Sequence, residues 1–209
     1  TCLQCEVCHG IGKNCSGPMK TCTRGEDTCG IILHEVLIGG MSIHSSIKFC
    51  MTSNMCHSDP VTMNYGNVKA KSRMACCTGD DCQTVSISLP PDDNVPNGHQ
   101  CPACHSMDSF QCNPEIINCT GSETQCVDVA GIMNTGGLTM KAAMKGCTTV
   151  SECRIAGDGK NSLGTMDMEL KRFHCTPAFL VDKNIAGFAP EHTLFLPLLS
   201  GFVLEKVLF

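Results

Sequence analysis

The chain has 209 residues, 19 of them cysteine, with no Trp, one Tyr and a formal net charge of −5 spread without long runs of one sign. So little aromatic mass cannot build a large core, and a chain this rich in cysteine is expected to be held by cystines in an oxidising compartment, outside the cell. The acidic balance excludes a nucleic-acid binder, which needs a basic face against phosphate.

Thr1 stands almost on the first cysteines, which reads as a chain whose signal peptide was removed ahead of residue 1. From Cys5 the cysteines run Cys8, Cys15, Cys22, Cys29, Cys50, Cys56 and Cys76, in steps of 3, 7, 7, 7, 21, 6 and 20. Within this set, residues 31–38 are rich in aliphatic and β-branched residues, Gly39-Gly40 follows, and a second run spans 42–49. That predicts a hairpin. A further hairpin is predicted over 59–75, with its tip at Asn64-Tyr65-Gly66-Asn67. Cys77 and Cys82 close this half. Residues 88–98 carry three prolines, a glycine and paired acids and read as a short, stiff linker that keeps the halves close.

After the linker the spacing returns. Cys101, Cys104, Cys112, Cys119, Cys126, Cys147, Cys153 and Cys175 are separated by 3, 8, 7, 7, 21, 6 and 22 residues, so the chain is a duplicated unit with a period near 96. Its hairpins are predicted at 127–133 with 138–145, turning at 134–137, and at 154–173, with Gly157, Gly159 and Gly164 near the tip. The second copy has no counterpart of Cys77 and Cys82. The domain reading is a first unit over 1–83, a linker over 84–100, a second unit over 101–177 and a tail over 178–209.

Leu3-Gln4-Cys5-Glu6-Val7-Cys8, the long gap from Cys29 to Cys50, and Cys76-Cys77-Thr78-Gly79-Asp80-Asp81-Cys82 resemble the Ly-6/urokinase-receptor family. Gln83 stands where that family usually has Asn after the last cysteine. The run from Cys5 to Cys15, the junction Pro96-Asn97-Gly98-His99-Gln100-Cys101-Pro102-Ala103-Cys104, the run Cys119 to Cys126, and Lys145-Gly146-Cys147 are most similar to the gamma-type phospholipase A2 inhibitors and their mammalian two-module relatives. The resemblance covers roughly residues 3–177. It implies an all-β, disulfide-rich fold of two tandem three-finger domains. It also implies the pairs Cys5–Cys29, Cys8–Cys15, Cys22–Cys50, Cys56–Cys76, Cys77–Cys82, Cys101–Cys126, Cys104–Cys112, Cys119–Cys147 and Cys153–Cys175. Cys2 is left over, either a processing boundary or the site of an intermolecular bridge in a homo-oligomer. The function implied is inhibition of a secreted phospholipase A2, or binding of another extracellular protein, with no cofactor.

Sharper chemistry finds little support. Cys5-x-x-Cys8 and Cys101-x-x-Cys104 resemble halves of a zinc site, but the family pairing engages every one of these cysteines, so no metal is expected. No catalytic residue is expected either, because His57 and His99 lie outside the Cys76–Cys82 segment and no nucleophile motif is present. Asn14-Cys15-Ser16 and Asn118-Cys119-Thr120 match the N-glycosylation pattern. Leu37, Ile38 and Met41 in the first copy, with Met133 and Leu138 in the second, flank finger turns and are the candidate partner-binding residues. In the tail, Leu194–Leu204 is strongly apolar but too short, with Glu205-Lys206 behind it, for a good membrane span. It resembles a glycolipid-anchor signal, with attachment at 184–187 and a spacer at 189–193, so the alternative is an anchored receptor or adhesion protein.

Overall fold

The computed structural model describes residues 2–56, 59–135, 138–157, 162–163 and 166–181, with the strand or helix path alone at 133–135, 138, 155–157, 162–163 and 166–168. In the first module, β1 (Gln4–Glu6) pairs with β3 (Met19–Thr21), and β2 (Cys8–Ile11) lies along the outer edge of the main hairpin. That hairpin is β4 (Thr28–Ile38) and β5 (Met41–Met51), longer at its base than the sequence predicts. Gly39 and Gly40 at φ of 57° and 85° make its two-residue turn, a geometry open to glycine without steric cost. β6 (Val61–Asn64) and β7 (Val68–Cys77) form the next hairpin about Gly66, with the Tyr65 N–H donating to the Val68 carbonyl at 2.8 Å. α1 (Asp81–Thr84) closes the module.

The second module opens with β8 (Pro96–Ser106), so Pro96, His99 and Gln100, read from sequence as linker, already pair in the sheet. Proline is tolerated there because it is the first residue of the strand. β9 (Glu115–Thr120) pairs with β8, and β10 (Gln125–Thr135) with β11 (Leu138–Thr148) makes the central finger. The turn between these two strands, residues 136–137, lies outside the described residues. The predicted strand from Arg154 is corrected. Arg154 sits in α2 (Val150–Gly157), and only then come β12 (Ser162–Leu163) and β13 (Met166–Pro177). Thr149 and Glu152 have the spacing of a capping box at the start of this α-helix, where the first module has only the 3-10 turn Ser53–Met55 among its described residues. β14 (Phe179–Leu180) ends the described chain on the edge of β8.

The two modules share one sheet. Its strands run β12-β13-β10-β11-β6-β7-β4-β5-β2, with β8 also on β11. The joint is β11 against β6, pairing Cys147 with Asn64 and Thr148 with Met63. It is lengthened by Thr149 N–H to the Thr62 carbonyl at 3.2 Å, Thr148 Oγ1 to the same carbonyl at 2.9 Å, and Ser151 Oγ to the Pro60 carbonyl at 3.0 Å. Gly146 permits this approach, since a Cβ there would stand 2.0 Å from the Asn64 oxygen. Val61, Met63, Tyr65, Val68 and Ala70 of the first module and Val127 of the second form one buried cluster, with Val36, Met144 and Phe173 packed on it. The core therefore sits across the joint, while cystines fill the base of each module: Cys5, Cys29 and Cys77 in one, Cys101, Cys119, Cys126 and Cys147 in the other.

Candidate partner-binding surface

Alternation sorts the side chains of the first module's central finger into two faces. Residues directly paired across antiparallel strands share a face. One face carries Val36, Ile38, Met41 and Ile43, together with Val68 and Ala70 of β7. The other carries Glu35, His44, Lys48, Lys69, Lys71 and Arg73. The first face holds no charged side chain in these strands except His34, whose pKa burial lowers so that the ring stays neutral.

Inward, the apolar face runs into the shared core through Val36, Val68 and Ala70. Outward it is bare: Ile38 is 43% exposed, Ile43 48% and Met41 69%. Ile11 joins them, because β2 pairs Ile11 with Ser45 on that face, and it is 88% exposed. Four large apolar side chains thus cluster at the tips of two fingers, rigidly backed by a paired sheet. Exposed apolar patches of this kind mark interaction sites. Leu37 is separated from the set. It pairs with Ser42, points to the charged face, and lines a cleft of about 220 Å³ beside Pro91, Asp92 and Asn94.

The charged face is closed by the linker. Lys71 Nζ lies 3.0 Å from Glu35 Oε2 and 2.6 Å from Asp92 Oδ1, and Lys69 Nζ donates to Asn94 Oδ1 at 2.8 Å. The Ser42 hydroxyl donates to Glu35, and this bond, with Lys71 and the nearby His44, holds the Glu35 carboxyl below its ordinary range. On the same side at the base, a cleft of about 1110 Å³ is lined by Leu3, Ile31, Leu33, Ser46 and the Lys48–Glu6 ion pair at 2.7 Å.

In the second module, Met133 pairs with Met140 and Leu138 with Thr135, but their side chains lie outside the described residues. On the opposite face of that finger, Asp128 is held by Lys145 at 3.0 Å and Arg172 at 2.9 Å, and Lys141 stands 5.4 Å over the Phe110 ring. At the joint, burial pushes the Glu152 carboxyl up to about 7 and raises that of Glu123 as well.

The sulfurs that come closest to a ligand cluster are Cys5, Cys22 and Cys50, and Cys101, Cys119 and Cys147. All six are in cystines and offer no thiolate to a metal. The structure joins Cys5–Cys29, Cys8–Cys15, Cys22–Cys50, Cys56–Cys76, Cys77–Cys82, Cys101–Cys126, Cys104–Cys112, Cys119–Cys147 and Cys153–Cys175. Cys2 is free and exposed. Asn14 and Asn118 are both exposed, the first on the loop after β2 and the second in β9. The anchor signal expected at 184–204 lies outside the described residues, and among those described no helix is long and apolar enough to cross a membrane.

Sequence reasoning missed Ile11 and Ile43. The strict alternation of Val68-Lys69-Ala70-Lys71-Ser72-Arg73-Met74 was the signal for two faces of opposite character.

Comparison with known proteins agrees with this architecture. A family model described as phospholipase A2 inhibitor matches residues 3–84, and one described as u-PAR/Ly-6 domain matches residues 97–176. A phospholipase A2 inhibitor gamma subunit of Gloydius brevicaudus siniticus is 38% identical over 181 residues, 85% of this chain and 88% of that one. Phospholipase A2 inhibitor NAI of Notechis ater is 36% identical over 85% of this chain and 88% of its own. The phospholipase A2 inhibitor 25 kDa subunit of Naja kaouthia is 38% identical over 84% and 95%. With its two cystine-based modules matched along most of their length, the chain belongs to the gamma-type phospholipase A2 inhibitor family of u-PAR/Ly-6 proteins.

Proposed function

We propose that this chain is an extracellular binding protein that inhibits a phospholipase A2 by protein–protein contact and carries no catalysis of its own. The observation that carries the reading is the 38% identity, over most of both chains, to a protein named as such an inhibitor. Nine cystines support an oxidising location.

The contact surface is the uncharged finger-tip face of the first module, made of Ile11, Ile38, Met41 and Ile43, with the second module's Met133 and Leu138 as further contacts. An enzyme that works on lipid aggregates must present an apolar surface to them. A rigid apolar patch of comparable kind competes with the lipid for that surface. Burying one such side chain contributes roughly 1.5–3 kcal/mol, so four are enough to anchor a specific complex.

The test is capture of the enzyme from a panel of secreted calcium-dependent phospholipases A2, followed by activity assays on vesicles and on a monomeric short-chain substrate. Inhibition stronger on vesicles is the expected result. No binding to or inhibition of any panel member refutes the function. A second reading, a glycolipid-anchored surface protein, rests on the apolar run Leu194–Leu204. Release from cells by phosphatidylinositol-specific phospholipase C is its test, and the protein appearing in the medium without that enzyme removes it.

A further inference from the structure

The β8-β9-β14 sheet of the second module has an inner and an outer face. The inner face is cystine: Cys101 and Cys119 are fully buried, with Ile117 packed on them. The outer face carries Phe179, Gln100 and Asn118 in one cross-strand row, and Pro102 with Ile116 two residues along. Phe179 is 59% exposed and Ile116 60%, so this outer face is a second apolar surface, remote in sequence from the finger tips. Asn118 sits between them. Its Oδ1 accepts from Gln100 Nε2 at 2.9 Å, while its Nδ2 makes no hydrogen bond among the described residues. With Thr120 two residues on, this exposed nitrogen stands in an acceptor sequence for N-linked sugar.

We infer that Asn118 is N-glycosylated and that the glycan covers the apolar outer face formed by Ile116 and Phe179. In the modification, Asn118 Nδ2 forms a bond to the anomeric carbon of an oligosaccharide carried on a lipid pyrophosphate. The bond from that carbon to the pyrophosphate oxygen breaks, the lipid pyrophosphate leaves, and the proton lost from nitrogen balances its charge. Transfer precedes closure of Cys119–Cys147, because Cys119 is fully buried once bridged and the acceptor run must be extended and accessible. Strand spacing puts Phe179 roughly 10 Å from Asn118 across Gln100, and Ile116 about 7 Å along β9, both under the first sugars of a glycan. The arrangement divides the two apolar surfaces. Sugar at Asn118 covers the one on the second module.

The experiment uses the full chain secreted from mammalian cells, treated with peptide-N-glycosidase in heavy-oxygen water and read by peptide mass spectrometry. Asn118 is expected to appear as labelled Asp, to stay unlabelled in secreted Thr120→Ala, and to be labelled in Thr120→Ser. Unlabelled Asn118 in the unmutated secreted chain overturns the site, whatever the variants do. For the covering role, native deglycosylated protein is compared with the glycosylated form for binding of an apolar dye. A rise of several-fold, abolished by the double change Phe179→Ser and Ile116→Ser, is expected. Dye binding unchanged on removal of the sugar overturns the covering role.

Discussion

Gly146→Ala is the sharpest test of the shared sheet. In most strands this exchange is favourable by up to roughly 1 kcal/mol, because alanine has less backbone freedom to lose. At 146 the added Cβ would lie 2.0 Å from the Asn64 oxygen, 2.8 Å from its carbonyl carbon and 3.0 Å from Tyr65 Cδ1. Two of these are backbone atoms, so no side chain can rotate away and β6 must move off β11. The contacts that stretch are the ladder at Cys147/Asn64 and Thr148/Met63 and the bonds of Thr149 N–H, Thr148 Oγ1 and Ser151 Oγ to the first module. At about 1 kcal/mol each, losing most of them costs roughly 3–5 kcal/mol, which outweighs the backbone gain. Tyr65 is the only Tyr in a chain without Trp, and it is 4% exposed at this joint, so intrinsic fluorescence reports on the joint itself. Guanidinium unfolding of the oxidised protein, followed through Tyr65, should shift to lower denaturant and precede the loss of far-ultraviolet circular dichroism. A midpoint equal to or above that of the unmutated protein would show that the modules do not approach as described.

Three further outcomes are expected. Glu152 has its carboxyl raised by burial from 4.5 to about 7, so the native state binds an extra proton between those values. Stability therefore falls as pH rises through that window and returns on acidification, by about 3 kcal/mol in all, and Glu152→Gln should flatten the difference in melting curves measured at pH 5 and 8. At the finger tips, Ile43→Asp should weaken phospholipase binding by roughly 10–100-fold while Leu37→Asp changes it far less, measured by surface plasmon resonance; equal losses would refute the division into two faces. Lys71→Met removes the ion pairs to Glu35 and Asp92, costing about 1 kcal/mol, and should speed protease cleavage near Asp92–Asn94 while lowering partner affinity by no more than a few-fold.

The cysteine steps made the duplicated framework legible, because a cystine fixes spacing far more tightly than any apolar pattern does. Gly39-Gly40 and Asn64–Asn67 were legible for a similar reason: few residues reach the backbone angles of a tight turn. The joint was not. Val61, Met63 and Tyr65 read as an ordinary strand and Val127 as another, and nothing in either stretch says that they meet across the long run of sequence between them. Gly146 reads as a weak point in a strand until Asn64 is placed against it. α2 was missed because the first module suggested a hairpin there, although Thr149-Val150-Ser151-Glu152 carries the helix-start spacing.

The same alternation that closes the joint also creates the proposed binding patch. Toward the tips of β4 and β7 every second residue is apolar, and the register places the inner members, Val36, Val68 and Ala70, under the second module and the outer members beyond its reach. No sequence change separates core from surface on this face; only the extent of the partner module does. Apolar side chains left bare on a strand would ordinarily invite non-specific association. Here they are held at fixed spacing by a sheet whose other face is tied down by Lys71, Glu35 and Asp92, which reduces the ordering cost that a flexible loop would incur on binding. Loosening the joint should therefore weaken the partner complex even though Gly146 touches no patch residue. Ile43→Asp, by contrast, should weaken the complex while leaving Tyr65 and the joint undisturbed. If Gly146→Ala uncouples the modules with partner affinity unchanged, the patch is organised by the first module alone.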